Sequence, residues 1–416
     1  MTIKGLIKTY ETALNQRPRG DPRAVRQRAG LHAAAGAKNI RLPDCAVGIA
    51  MDGSATGTTW RQTMLKWGAA MGLLGLSCGL ASPAFAKASA IKTDYAAFAQ
   101  ARPVLVTADN FNRAETDMYF GKIVNGGAIG NLSHRRELYL TDSPIVRPNR
   151  DTLYSGAVFD FDAGPATITL PDAGNRFMSM QVIDEEQYTH AVYYGAGRYT
   201  VTPEEMGTRY GTVVIRILVN PNDSQDMKQV YALQDAIKVE QKSSGKYDDP
   251  NFDPVSQKKV RNALLVLGTT IPDTKRMFGS RSEVDPVRHL IGSAMLWGGL
   301  PEKDAIYLNI TPGNADGAAV YKLNVQDVPV DGFWSVTVYN AKGYLEPNQH
   351  NAYSVNNITA KKNADGSVAV QFGGCDGKIS NCLPTMPGWN YMVRLYRPRA
   401  EALNGTWKFP EAQRVN

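Results

Sequence analysis

The sequence predicts a mainly β protein with a helical insert, and three observations carry that expectation. Short alternating or β-branched runs follow one another between residues 156 and 219 without helices between them, which points to a sandwich and not to a βαβ sheet. Apolar spacing then turns helical from 223 to 300. From 305 the strand pattern returns and continues towards the C-terminus. With 416 residues, 43% hydrophobic and 20% charged, the chain has enough apolar sequence for two or three packed domains.

The net charge of +7 suggests an anionic partner until it is located along the chain. Residues 1–63 hold ten Lys/Arg and four Asp/Glu, and 64–86 add only Lys66, which leaves 35 basic and 35 acidic residues in 87–416. The body is neutral, so no nucleic-acid partner is expected. Lys66, the uncharged run 67–80 and Ala84-Phe85-Ala86 make the three parts of a secretory signal peptide at 64–86. Cleavage near Ala86 would leave a periplasmic or secreted chain. A membrane anchor is the alternative, but the run falls short of the ~18 apolar residues a span needs, and Ser82-Pro83 breaks it. No stable membrane insertion is therefore expected, and the sequence before Cys78 makes a poor lipobox. Residues 1–63 are aperiodic and rich in Arg, Ala and Gly. They read as a disordered extension or an over-extended reading frame, with Met1, Met51 or Met64 as the translation start.

Cleavage removes Cys45 and Cys78 and leaves Cys375 and Cys382, with six residues between them. In an oxidising compartment such a pair closes a turn-rich loop as a disulfide. Metal binding is the alternative, but without a second Cys/His pair the zinc site is incomplete.

In chain order, the first unit spans 87–222. Thr93 or Asp94 can cap a helix, and 110–124 carries Phe111, Met118, Tyr119, Ile123 and Val124 at helical spacing before Gly126-Gly127. Strands are expected at 156–161, 166–170, 177–183, 191–194 and 213–219, separated by Gly/Pro/Asp turns. The helical domain spans 223–300. Asp223 or Ser224 caps a segment with Met227, Val230, Tyr231 and Ile237 on one face, followed by 255–267 and by Val287, Leu290, Ile291 and Ala294. The last unit, 301–416, has strands at 306–310, 320–325, 333–339, 368–372 and 391–396.

Strong catalytic signatures are missing: there is no G-x-S-x-G, Walker lysine loop, G-x-G-x-x-G or H-E-x-x-H. His134, His190, His289 and His350 fall in four separate segments, so neither a metal nor another cofactor is expected. The densest polar cluster is Arg147-Pro148-Asn149-Arg150-Asp151-Thr152-Leu153-Tyr154. Arg147, Asn149 and Arg150 suit a carboxylate or phosphate, Asp151 suits an orienting group or base, and Tyr154 suits a hydrogen-bond donor. The same residues also suit an Asx-type turn in which Asp151 accepts backbone N–H groups and the arginines clamp loop carbonyls. A second cluster holds Gln181, Asp184, Glu185, Glu186, Tyr188 and His190, read either as acid–base machinery for a glycan or ester or as a solvated turn. Trp334, Tyr339, Tyr344, Trp389, Tyr391 and Trp407 suit either sugar stacking or a sandwich core.

Residues 146–155 and 177–184, Val-Arg-Pro-Asn-Arg-Asp-Thr-Leu-Tyr-Ser and Phe-Met-Ser-Met-Gln-Val-Ile-Asp, resemble the bacterial module called domain of unknown function 1254. Gly332-Phe333-Trp334-Ser335-Val336-Thr337-Val338-Tyr339, Asn381-Cys382-Leu383-Pro384, Val393-Arg394-Leu395-Tyr396-Arg397-Pro398 and Leu403-Asn404-Gly405-Thr406-Trp407 are similar to its usual partner, domain of unknown function 1214. The resemblance implies an N-terminal immunoglobulin-like β-sandwich, a middle helical domain and a C-terminal jelly-roll-like β-sandwich, and no established reaction. Cys382 and Arg397 stand where that family usually carries Trp, which removes two indoles from any sugar platform. The expectation is an exported envelope protein with a small-ligand-binding or assembly role. Its ligand would be a small molecule, glycan or lipid meeting the 147–154 loop, with Trp334 and Tyr339 nearby. The alternative is a metal-independent hydrolase or lyase using Asp151, Asp184 or His190 as acid or base and Tyr154 or Arg150 as electrophile. A homo-oligomer is a third possibility.

Overall fold

Residues 102–141, 143 and 146–415 are described by the computed structural model, so the expected leader and the extension before it lie outside the described residues. Helix α1 (Phe111–Asn125) comes first, its Phe111, Ala114 and Phe120 buried. Strands follow: β1 (Ser133–His134), β2 (Thr152–Asp160), β3 (Ala166–Leu170), β4 (Met178–Asp184), β5 (Thr189–Tyr194) and β6 (Gly197–Val201). The one-turn helix α2 (Pro203–Met206) leads into β7 (Tyr210–Leu218). The sheet β1-β2-β7-β4-β5 is antiparallel throughout, and a smaller sheet, β6-β3, is also antiparallel. Side chains alternate across a strand. Leu153, Ala157 and Phe159 of β2 and Val213, Ile215 and Ile217 of β7 therefore enter one core with Ile168 and Leu170 of β3. Their neighbours Tyr154 and Arg216, which pair across β2 and β7, point to the opposite face.

The helical segment does not stand apart. In α3 (Ser224–Ala236) the Asp223 cap accepts from the backbone N–H groups of Gln225 and Asp226, and Val230 completes the first core. Strand β8 (Lys238–Glu240) then pairs with β3, extending the small sheet. Helices α4 (Pro254–Gly268) and α5 (Pro286–Met295) each begin with an Asp cap and a proline in the first turn. They pack Leu264 and Ile291 against Phe111 and Ala114 of α1.

The C-terminal part contains β9 (Ala305–Ile310), β10 (Tyr321–Val325), β11 (Trp334–Tyr339), β12 (Ser354–Asn356), β13 (Val368–Phe372), β14 (Cys382–Leu383), β15 (Asn390–Tyr396), the short helix α6 (Ala400–Leu403) and β16 (Gln413–Arg414). They form two four-stranded sheets, β12-β11-β15-β9 and β14-β13-β10-β16. Trp334, Val336, Val338, Tyr391, Val393 and Leu395 from the first meet Leu323, Val370 and Phe372 from the second. Cys375 and Cys382 form a disulfide, S–S 2.04 Å, beside β14. The described chain is thus mainly β with few helices and several antiparallel sheets, and none of its helices is long and apolar enough to cross a membrane.

The other faces of the two large sheets bear the polar halves of their alternating strands, and both are buried. Ser179, Gln181 and Arg216 on one side, and Ser335, Thr337, Tyr339 and Arg394 on the other, are all nearly closed to solvent. An apolar seam joins the halves beside them: Phe177, Tyr194 and Leu218 pack with Tyr307, Phe333 and Tyr396.

Candidate functional site

Along this seam lies a cavity of about 320 Å³. The N-terminal half contributes Tyr154 and Arg216 from β2 and β7, and the C-terminal half Tyr307, Arg394 and Tyr396 from β9 and β15. Helix α1 gives Tyr119, Lys122 and Ile123, and the turn after α5 gives Leu296, Trp297, Gly298 and Gly299. The basic side chains Lys122, Arg135, Arg147, Arg216 and Arg394 border it, and among the described residues no Asp, Glu, His or Cys does.

Arg216 is the most informative of these. It is 6% exposed. Its guanidinium donates to Gln181 Oε1 at 2.9 Å and to the Gly298 carbonyl at 2.7 Å, and among the described residues it forms no ion pair. Burial works against its charge, while the surrounding phenols of Tyr154, Tyr307 and Tyr396 offset this and leave its pKa above the ordinary arginine value. Burial raises the phenol pKa values of Tyr307 and Tyr396, so these two solvate the guanidinium without neutralising it. Arg394 differs. It donates to the Arg147 carbonyl (2.8 Å), Tyr339 Oη (2.9 Å) and Thr337 Oγ1 (3.3 Å), and the Asp151 carboxylate lies within its field. At the rim, burial and the neighbouring Arg394 hold Arg147 below its usual pKa, and burial likewise lowers Lys122.

The 147–154 loop, expected either as a clamp or as a turn, is built into the seam. Tyr339 Oη donates to the Pro148 carbonyl at 2.8 Å, and Asn149 Nδ2 donates to Tyr396 Oη at 2.7 Å. Asp151 is fully buried and accepts from Ser354 Oγ and Asn356 Nδ2, both at 3.0 Å. Arg147 adopts φ 53°, its N–H bonded to the Gly343 carbonyl and its Nε to Asn309 Oδ1. Arg150 donates to the Tyr139 carbonyl and lies 4.6 Å over the Tyr353 ring. Of these residues Arg147, Asn149 and Tyr154 border the cavity, while Arg150 and Asp151 do not.

Asp184 and His190 lie elsewhere. Their side chains meet at 2.9 Å, and Asp184 Oδ1 accepts from the N–H groups of Glu186 and Tyr188, which holds the turn between β4 and β5. Glu185 in that turn is buried and, with Glu186, paired to Arg113 of α1, so the segment is neither a solvated turn nor part of the cavity. Trp334 sits in the C-terminal core against Phe409, on the sheet face away from the seam, and Tyr339 lies beneath the 147–151 loop. Ser155 Oγ and His134 Nδ1 are 2.7 Å apart, a spacing suited to a nucleophile and base. The Ser155 side chain, however, points to the face opposite Tyr154, where Gln234 Nε2 donates to it at 3.1 Å. Four residues that border the cavity, Arg216, Tyr307, Arg394 and Tyr396, were not among the site residues expected from the sequence. The signal available for the two arginines was a guanidinium in the middle of an otherwise apolar strand, Val-Val-Ile-Arg-Ile-Leu at 213–218 and Tyr-Met-Val-Arg-Leu-Tyr at 391–396.

Residues 129–241 match the family model described as Protein of unknown function (DUF1254), and residues 309–400 match Protein of unknown function (DUF1214). A search of curated proteins returns no match. Among solved structures, a Vibrio parahaemolyticus protein aligns over 74% of this chain and 98% of its own, at 18% identity and a TM-score of 0.55; the likeness is one of fold. An uncharacterised Burkholderia cenocepacia protein aligns over 74% of this chain and 86% of its own, at 12% identity and a TM-score of 0.45.

Proposed function

We propose, from the premise that the chain carries the DUF1254 and DUF1214 domains in that order, that the seam between them is a binding site for a small organic anion. One observation carries this reading: Arg216 is a buried, permanently charged group beside a cavity, without an ion-pair partner among the described residues. An unpaired buried charge is unfavourable by several kcal/mol, and a ligand carboxylate or phosphate would relieve that penalty. Walls of Ile123, Val214, Leu296 and Trp297 suit an apolar body behind the charged head. The hydrolase or lyase alternative has less support, because Asp151, Asp184 and His190 are engaged in hydrogen bonds away from the cavity and do not border it.

The remaining expectations accompany this reading. The chain is taken as an exported envelope protein cleaved near Ala86, and the disulfide supports an oxidising compartment. The family resemblance supports reading the described parts as an immunoglobulin-like sandwich, which α3 and β8 join, a helical domain and a jelly-roll-like sandwich. The test is mass spectrometry of small molecules released from the purified full chain. A stoichiometric organic anion in the wild type and its loss in Arg216→Met are expected. A neutral ligand, or the same anion retained by the variant, would sink the proposal.

A further inference from the structure

Resting on the anion-site reading, we infer that the ligand's head is a carboxylate held by the phenols of Tyr307 and Tyr396 together with Arg216, and that hydroxyl-rich ligands such as sugars are excluded. Tyr396 Oη already accepts from Asn149 Nδ2 at 2.7 Å, and Tyr307 Oη accepts from the Leu300 N–H at 3.1 Å. Each phenol has one hydrogen to donate, and neither has an acceptor within hydrogen-bonding distance among the described residues. Both side chains border the cavity and both are buried. Burial raises the pKa of each, so they remain protonated donors.

Arg216 adds N–H groups and has no capacity to accept. The oxygen of Asn149 is taken by the Asp151 N–H. The polar surface around Arg216, Tyr307 and Tyr396 is therefore dominated by donors. A sugar hydroxyl brings a hydrogen that needs an acceptor, and acceptors are few here: Gln181 Oε1 and the Gly298 carbonyl already receive Arg216. A carboxylate accepts on both oxygens and brings no hydrogen.

Charge selects among oxyanions. Asp151 already lies in the field of Arg394, whereas no carboxylate pairs with Arg216. With Asp151 offsetting part of the Arg394 charge, the buried positive charge beside the cavity matches a monoanion better than a phosphate dianion. Arg147 and Lys122 at the rim are more exposed and better screened.

Isothermal titration of the full chain with hexanoate, benzoate, their primary amides, inorganic phosphate and glucose tests this. At least one carboxylate is expected to bind and its amide to bind at least about thirtyfold more weakly, with phosphate weaker than the carboxylate and glucose silent. Tyr307→Phe and Tyr396→Phe keep the rings, and each should weaken carboxylate binding about tenfold, the loss of one charge-assisted hydrogen bond. Should either variant fail to fold, the comparison of acid with amide on the wild type still decides. Equal binding of acid and amide, binding of glucose, a preference for phosphate, no carboxylate binding at all, or Phe variants indistinguishable from wild type would each overturn the inference. If phosphate or another anion binds in an Arg216-dependent way, the anion site stands and only the assignment of its head fails.

Discussion

Replacing Arg216 with methionine should leave the empty protein about as stable as the wild type while abolishing anion binding. The substitution removes hydrogen bonds to Gln181 Oε1 and the Gly298 carbonyl, and bonds from a charged donor contribute about 1.5–3 kcal/mol each. It also removes a guanidinium that is 6% exposed and without a carboxylate partner, so a desolvation penalty of several kcal/mol disappears with it. Methionine fills most of the vacated volume and adapts to irregular gaps. The two contributions nearly cancel, and the net change should fall within about 2 kcal/mol of zero, of either sign. Had Arg216 been half of a buried ion pair, its loss would cost about 3–5 kcal/mol. Urea denaturation of ligand-free protein, compared at equal m-values, reads the difference directly. With ligand at a hundredfold excess over Kd the wild type should gain about 2.7 kcal/mol and the variant nothing. A loss above about 4 kcal/mol in the empty protein would refute the reasoning, because it would make Arg216 a structural keystone and not a group awaiting a partner.

Other consequences are open to measurement. Asp117 on α1 is buried, and burial together with nearby Glu185 pushes its pKa up to about 8. A carboxyl whose folded pKa is raised contributes stability that is fully present below the unfolded value near 4 and is lost as pH rises through 8. Wild-type stability should therefore decline across that window, and Asp117→Asn should flatten the profile in a urea series at stepped pH; an unchanged slope would count against a protonated Asp117. Replacing both Cys375 and Cys382 with serine should lower unfolding stability by about 2.5 kcal/mol, the chain-entropy value for so short a loop, and a wild type insensitive to reductant would contradict it. Asp223→Ala removes the cap of α3 and should lower stability by about 1 kcal/mol, with faster amide exchange confined to the first turn of that helix.

Alternation made most strands legible, and two of them, 166–170 and 368–372, match their expected limits. It did not reveal which polar faces would be covered. In Trp334-Ser335-Val336-Thr337-Val338-Tyr339 the pattern reads as one face in a core and one in water, yet all six residues are buried because the second face meets the other half of the molecule. The same ambiguity hid Arg216 and Arg394, since a charged residue on an alternating strand is ordinarily assigned to solvent. Strands such as β8 and β12 have three residues each and too little sequence to show a period; they exist because β3 and β11 offer unpaired edges. The 147–154 stretch was recognisable as special, but its partners Ser354, Asn356, Tyr339 and Tyr396 lie roughly two hundred residues away, and no local pattern connects them.

That loop also bears on how the chain can be divided. It surrenders the carbonyls of Arg147 and Pro148, the side-chain N–H of Asn149 and the carboxylate of Asp151 to partners in the C-terminal half. A fragment ending near residue 300 would keep every strand of the first sheet and still expose a strap whose polar groups had been matched to a surface no longer there. The family boundaries at 241 and 309 therefore mark stretches of sequence similarity and not places to cut. Co-expression of the two pieces, with reassembly through the strap, is the more promising route to studying either one.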